Sequence, residues 1–164
     1  MEKKRTINRN LTGLLWGVLC AALFLADRLS KEYMLENLKP VSTKTVWDGI
    51  LRFTFVENRG AAFGIGQGKI GFFVVITIII GVVLVYFAAK LVRKGKYPSV
   101  VFSLILILAG ALGNFYDRVV YGYVVDFFDL AFMDFPVFNV ADIFVVCGTI
   151  ILVLLLLFVV KEDF

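Results

Sequence analysis

Five carboxylates, Asp117, Asp126, Asp129, Asp134 and Asp142, fall within 26 residues whose other members are mostly aromatic and aliphatic. A solvated acidic loop would surround its charges with Ser, Gly, Glu and Lys. Asp126 instead stands in Val124-Val125-Asp126-Phe127-Phe128, where both faces of any strand or helix would be apolar. Asp142 stands one residue before a run of 18 uncharged residues. Charges at the edge of such a run are expensive to keep and point to function. Two carboxyls that share a water can hydrolyse a peptide bond without further help. The ionised one takes a proton from water, and the protonated one polarises the scissile carbonyl and then stabilises the oxyanion. Low dielectric and mutual repulsion separate their pKa values, so that the pair holds one proton.

The composition narrows the chemistry to this class. No His occurs in the 164 residues, which removes Ser-His-Asp and Cys-His catalysis, HExxH zinc sites and any imidazole base. Cys20 and Cys147 both lie inside apolar runs, so no disulfide framework is legible. Gly60, Gly64, Gly66 and Gly68 invite comparison with a phosphate loop. Phe63, however, stands where the first Gly of GxxxxGK belongs, and Ile70 where its Ser or Thr belongs, so the stretch reads as a turn region.

Several of the acids also have plainer readings. Asn139 is placed to cap a helix, which makes Asp142 its third residue, where the helix dipole favours an acid. Asp117 would pair with the adjacent Arg118 or cap local backbone, and Asp129 and Asp134 would be solvated. Asp126 has no comparable account. If Asp142 sits at a helix N-terminus, it is the better candidate for the ionised base, and Asp126 for the protonated acid.

The elements that must position these residues follow from hydropathy. Hydrophobic residues make up 60% of the chain without counting Gly, whereas soluble domains reach about 45–50% with Gly included. Residues 10–26, 70–89, 97–116 and 143–160 are uncharged for 17, 20, 20 and 18 residues. About 20 helical residues cross the roughly 30 Å hydrocarbon core, and lipid selects helix because each backbone group must be satisfied within its own segment. The expectation is a mainly α membrane protein, a single integral domain over residues 1–164 with four transmembrane helices. Lys3, Lys4 and Arg5 ahead of the first run also describe a secretory signal. Leu23-Phe24-Leu25-Ala26 offers only one small residue for cleavage, and Val18-Leu19 before Cys20 does not suit a lipoprotein-type site, so the helix is expected to stay.

Basic residues set the orientation. Lys3, Lys4, Arg5 and Arg9 precede the first span, and Lys90, Arg93, Lys94 and Lys96 lie between the second and third. Those segments, and so both termini, are expected in the cytoplasm. Residues 27–69 and 117–142 are then the outer loops, the second with Arg118 as its only base. The net charge of +4 is thus a topology signal. A nucleic-acid partner would want a basic patch with aromatic interleaving, and none is present. In the first outer loop Asp27 and Lys31 share a helical face at i, i+4. Leu51-Arg52-Phe53-Thr54-Phe55 alternates with period two, which predicts a strand and a small extracytoplasmic β-sheet. Asn114 and Arg118 also share a face, at the end of the third span.

Taken together, Asp27-x-x-x-Lys31, Asn58-Arg-Gly60-Ala-Ala-Phe63, Gly110-Ala-Leu-Gly-Asn114-Phe-Tyr-Asp117-Arg118, Val125-Asp126-Phe127 and Phe138-Asn139-Val-Ala141-Asp142 resemble the motif blocks of the bacterial lipoprotein signal peptidases (signal peptidase II), in the family's order. The resemblance implies an intramembrane aspartyl endopeptidase that cuts diacylglyceryl-modified prolipoproteins just before the lipidated Cys. It places the catalytic pair on Asp126 and Asp142. Asn58, Asn114, Arg118, Asn139 and Ala141 fall among residues that hold substrate, lipid or the pair. Gly110 falls where a small residue lets substrate approach the third helix, and Asp27 and Lys31 match a structural or supporting pair. It further implies no metal or cofactor, contact with membrane lipids, an outer sheet that cradles substrate, inhibition by a cyclic peptide antibiotic, and residence in the bacterial cytoplasmic membrane. A rival from another class is a small four-helix ion-coupled transporter. That reading wants a carboxylate near a helix centre, and none of the four runs contains one.

Overall fold

A computed structural model of the chain describes residues 8–60 and 65–160. The order is α1 (Arg9–Asn37), β1 (Thr43–Trp47), β2 (Leu51–Asn58), α2 (Ile70–Lys94), α3 (Pro98–Val120), β3 (Val124–Leu130) and α4 (Val140–Phe158). All four helices are long and apolar enough to cross a membrane. Residues 61–64, which include Phe63 and part of the Asn58–Phe63 block, lie outside the described residues, as do Lys3, Lys4 and Arg5.

Each predicted span lies largely within a helix, but the helices are longer than the uncharged runs in informative places. Asn8 caps α1 by accepting from the N–H groups of Asn10 and Leu11. From there α1 runs 29 residues, about 43 Å at 1.5 Å per residue, well beyond a 30 Å core. Its extra turns carry Asp27, Lys31 and Met34, spaced to share one face, and Leu38 follows as the C-cap; all four are buried. α2 stops at Gly95, whose φ of 65° lies in the left-handed region that favours Gly, and whose N–H returns to the carbonyls of Leu91 and Val92. α3 opens on Pro98 at its first position, where a missing N–H costs nothing.

α3 is the central helix. Val101, Leu104, Ile105 and Leu108 join Leu84, Ala88 and Leu91 of α2 in one buried cluster, while the outward faces of α1, α2 and α4 stay apolar, as lipid requires. α3 and α4 approach closely because glycines remove the obstacle. A Cβ on Gly148 would lie 2.8 Å from Ile107 and 2.9 Å from the Ser103 carbonyl.

The sheet is antiparallel in the order β1-β2-β3. The predicted strand at 51–55 is the first part of β2, and β3 completes the sheet. Between Phe53 and Val56 the register with β3 shifts, so that Val56 faces Asp126 and Asn58 faces Val124. Without that bulge, the register of Leu51–Phe53 would set Asn58 opposite Tyr123, on the face away from Asp126.

Candidate active site

β3 carries Asp126 into the seam between sheet and helices. Val124, Val125, Asp126 and Phe127 are all buried, so both faces of the strand are covered. The β2 bulge brings Asn58 to the same face, and its Nδ2 donates to Asp126 Oδ2 at 2.9 Å.

α4 begins with the capping box that the sequence suggests. Asn139 Oδ1 accepts from the Asp142 N–H at 2.9 Å, and Asp142 Oδ2 accepts from the Asn139 N–H at 3.1 Å. The remaining half of the Asn139 amide then joins the two acids. Its Nδ2 donates to Asp126 Oδ1 at 2.6 Å and to Asn114 Oδ1 at 3.1 Å. Asn114 Nδ2 in turn donates to Asp142 Oδ1 at 2.7 Å. Every oxygen of both acids thus meets an N–H, all from neutral amides. Burial, and then the charge of neighbouring Asp142, push the Asp126 carboxyl up to about 7, against the opposing pull of the Asn58 and Asn139 hydrogen bonds.

A second set of charges lies behind this pair. Lys31 is fully buried, its Nζ 2.9 Å from Asp27 Oδ2 and 2.9 Å from Asp117 Oδ2, and it donates to Asn114 Oδ1 at 2.8 Å. Two donors therefore converge on Asn114 Oδ1, which leaves its Nδ2 free to face Asp142. Arg28 pairs with Asp117, reaches Glu32 at 3.1 Å and stacks 4.3 Å above the Tyr116 ring. Asp117 also accepts from the Val125 N–H at 3.2 Å, and Asp27 from the Ala141 N–H at 2.9 Å. These bonds tie α1 to α3, β3 and α4.

Most of the predicted site residues meet here, though some in other roles than expected. Asp117 pairs with Arg28 and Lys31 rather than with Arg118, because the next residue on a helix points away from its neighbour. Asp129 is not merely solvated. It holds Arg52 at 2.9 Å and Thr54 at 2.7 Å across the sheet. Asp134 is exposed. Arg118 donates to the carbonyls of Asn114 and Gly60, each at 3.2 Å, and covers the Phe73 ring at 5.2 Å. The space at Gly110 is taken by α4, since a Cβ there would strike the Ala141 carbonyl and approach Val145 to 2.9 Å. Gly113 likewise makes room for Asp27. Ala141 is fully buried and serves the α3–α4 contact. Sequence reasoning missed Arg28 and the link between Lys31 and Asp117. The spacing of Arg28 and Glu32 at i, i+4 was the available signal for the first.

The two acids border a crevice of about 510 Å³. Asn58, Asn114 and Arg118 line it beside them, while Phe135, Val146 and Cys147 supply an apolar wall. Among the described residues no three His, Cys, Asp or Glu side chains are grouped to share a metal ion. The arrangement suits proton transfer to and from a polar group that enters from an apolar side.

Known proteins resemble the chain over most of its length. The profile of a family described as Signal peptidase (SPase) II matches residues 19–158. A lipoprotein signal peptidase of Caldanaerobacter subterraneus is 46% identical over 142 residues, covering 86% of this chain and 94% of that protein. One from Enterococcus faecalis is 44% identical over 133 residues, covering 81% of each. A solved structure described as a bacterial membrane enzyme, determined by the in meso method at 2.3 Å resolution, superposes with a TM-score of 0.79 at 36% identity. It covers 100% of this chain and 98% of its own. With four membrane-spanning helices and relatives that match over nearly their whole length, the chain belongs to the signal peptidase II family, the membrane peptidases that remove signal peptides from lipoproteins.

Proposed function

We propose that this peptidase is of the aspartic type, with Asp126 and Asp142 as its catalytic pair. The observation that carries the reading is the Asn139 side chain, which accepts from the Asp142 N–H while donating to Asp126. Asp142 lies in the first turn of α4, facing the positive end of the helix and two N–H donors, and takes the role of ionised base. Asp126, buried and pushed up to about 7, is the protonated acid. Asp142 removes a proton from water as the oxygen attacks the scissile carbonyl, whose oxygen takes the Asp126 proton. The tetrahedral intermediate then breaks its C–N bond. Asp142 passes its proton to the leaving amine, and Asp126 recovers one from the collapsing hydroxyl. No metal or cofactor enters this scheme.

Asn58, Asn114 and Asn139 hold the pair, Arg118 faces the substrate chain, and Asp27 with Lys31 fixes Asn114 from behind. The substrate is a diacylglyceryl-modified prolipoprotein cut before its lipidated Cys, with the lipid against the apolar wall near Val146 and Cys147. A cyclic peptide antibiotic would block the same crevice. Asp142 adjoins the outer end of α4, so the reading places the site at the outer face of the bacterial cytoplasmic membrane and both termini in the cytoplasm.

The test is cleavage of one prolipoprotein with and without its diacylglyceryl group, with the products mapped by mass spectrometry. Cleavage confined to the lipidated form, before the Cys, is expected. Equal cleavage of both forms would remove the lipid from the proposal, and full activity of Asp126→Asn would remove the pair.

A further inference from the structure

A second cavity, larger than the crevice at the acids, lies away from them. It measures about 910 Å³ and opens between α1, α2 and α3, with Trp16, Gly17, Ala88 and Ile105 in its apolar walls. On α1 its lining runs from Arg9 to Phe24, about 22 Å of helix, whereas one leaflet contributes about 15 Å of hydrocarbon. The groove is therefore long enough for an entire acyl chain. Arg9 and Arg93 form its end farthest from the sheet, Arg9 bonding the Arg93 carbonyl. Lys90, Lys94 and Lys96 follow close by in sequence, and every acid among the described residues belongs to the predicted outer loops, near the opposite end.

We propose that this groove binds one anionic phospholipid of the cytoplasmic leaflet, an acyl chain between α1 and α3 and the headgroup phosphate at Arg9 and Arg93. The leaflet rests on the orientation proposed above, and the ligand chemistry rests on the groove itself. Charge decides between the two amphiphiles available to a peptidase of this family. A signal peptide carries its basic end on the cytoplasmic side and would bring like charge to the arginines. An anionic lipid brings the opposite charge.

Purified full-length protein is stripped of lipid and titrated with phosphatidylglycerol or phosphatidylcholine of the same acyl chains. Bound lipid is counted by native mass spectrometry. The expected result is one retained phosphatidylglycerol, bound on the order of tenfold more tightly than phosphatidylcholine. Arg9→Gln with Arg93→Gln should bring the two lipids level. Gly17→Leu should weaken both, and it is a fair test because a Cβ there meets nothing within 4 Å. Equal binding of the two lipids by the unaltered protein would overturn the proposal, as would a preference that survives loss of both arginines. Displacement of the lipid by a lysine-ended apolar signal peptide would assign the groove to peptide instead. Each readout is independent of cleavage, so failure here leaves the proposed catalytic pair standing.

Discussion

Two pairs of acids, all buried except the half-buried Asp142, lie side by side in this molecule and are treated in opposite ways. Asp27 and Asp117 share Lys31, and Asp117 also binds Arg28, so that pair is neutralised by cations. Asp126 and Asp142 are met by amides, Asn58, Asn114 and Asn139, which orient a carboxyl without cancelling its charge. A cation offsets the charge of a buried acid and makes the pair a structural fastener. Neutral donors leave an acid able to change its proton count near neutral pH, which a proton-transferring pair needs.

The comparison breaks most visibly if one acid of each pair is replaced. Asp126→Asn or Asp142→Asn should lower turnover of lipidated substrate by about 10²–10⁴-fold or more. Neither change strands a buried ion, so stability should fall only by what one mismatched amide costs, about 1–3 kcal/mol. Lys31→Met should weigh more on stability. It strands buried carboxylates, at a cost of about 3–5 kcal/mol, read as a fall in the unfolding temperature. Adding Asp27→Asn to Lys31→Met should restore part of that stability. Activity should be low in both variants, because Asn114 would lack one of the two donors that orient it.

A finer test uses pH. Asp126 has its pKa raised, so the competent protonated form exists below about 7 and is lost as pH rises through that value. The alkaline limb of turnover should therefore fall near pH 7. Asn58 favours the charged form, and Asn58→Ala should move that limb upward; an unmoved or lowered limb would break the assignment of Asp126 as the acid. The smallest effect is expected at Asp129, whose partner Arg52 is half exposed. Asp129→Asn should shift stability by at most about 1 kcal/mol and leave the pH profile in place.

The spans, the strand at Leu51–Phe55, the cap at Asn139 and the oddity of Asp126 were all legible along the chain, because each is a local matter of period, charge or capping. The pairing of Lys31 with Asp117 was not. Those residues are far apart in sequence, and nothing near Asp117 announces that α1 supplies its cation. The role of Gly110 was ambiguous for a similar reason, since a small residue on a helix admits whichever backbone arrives, and here it is α4. The bulge left only a faint trace, the adjacent apolar pair Phe55-Val56 that ends the alternation, which by itself does not give the register with β3.

That bulge makes chain length a chemical variable. Adding one residue between Phe53 and Val56, with the bulge unchanged, would leave every side chain of the site present, yet set Asn58 opposite Tyr123, on the far face of the sheet. Asp126 would then keep one amide partner instead of two. Evolution can therefore vary the loop after Asn58 with some freedom, but it must count the residues before it.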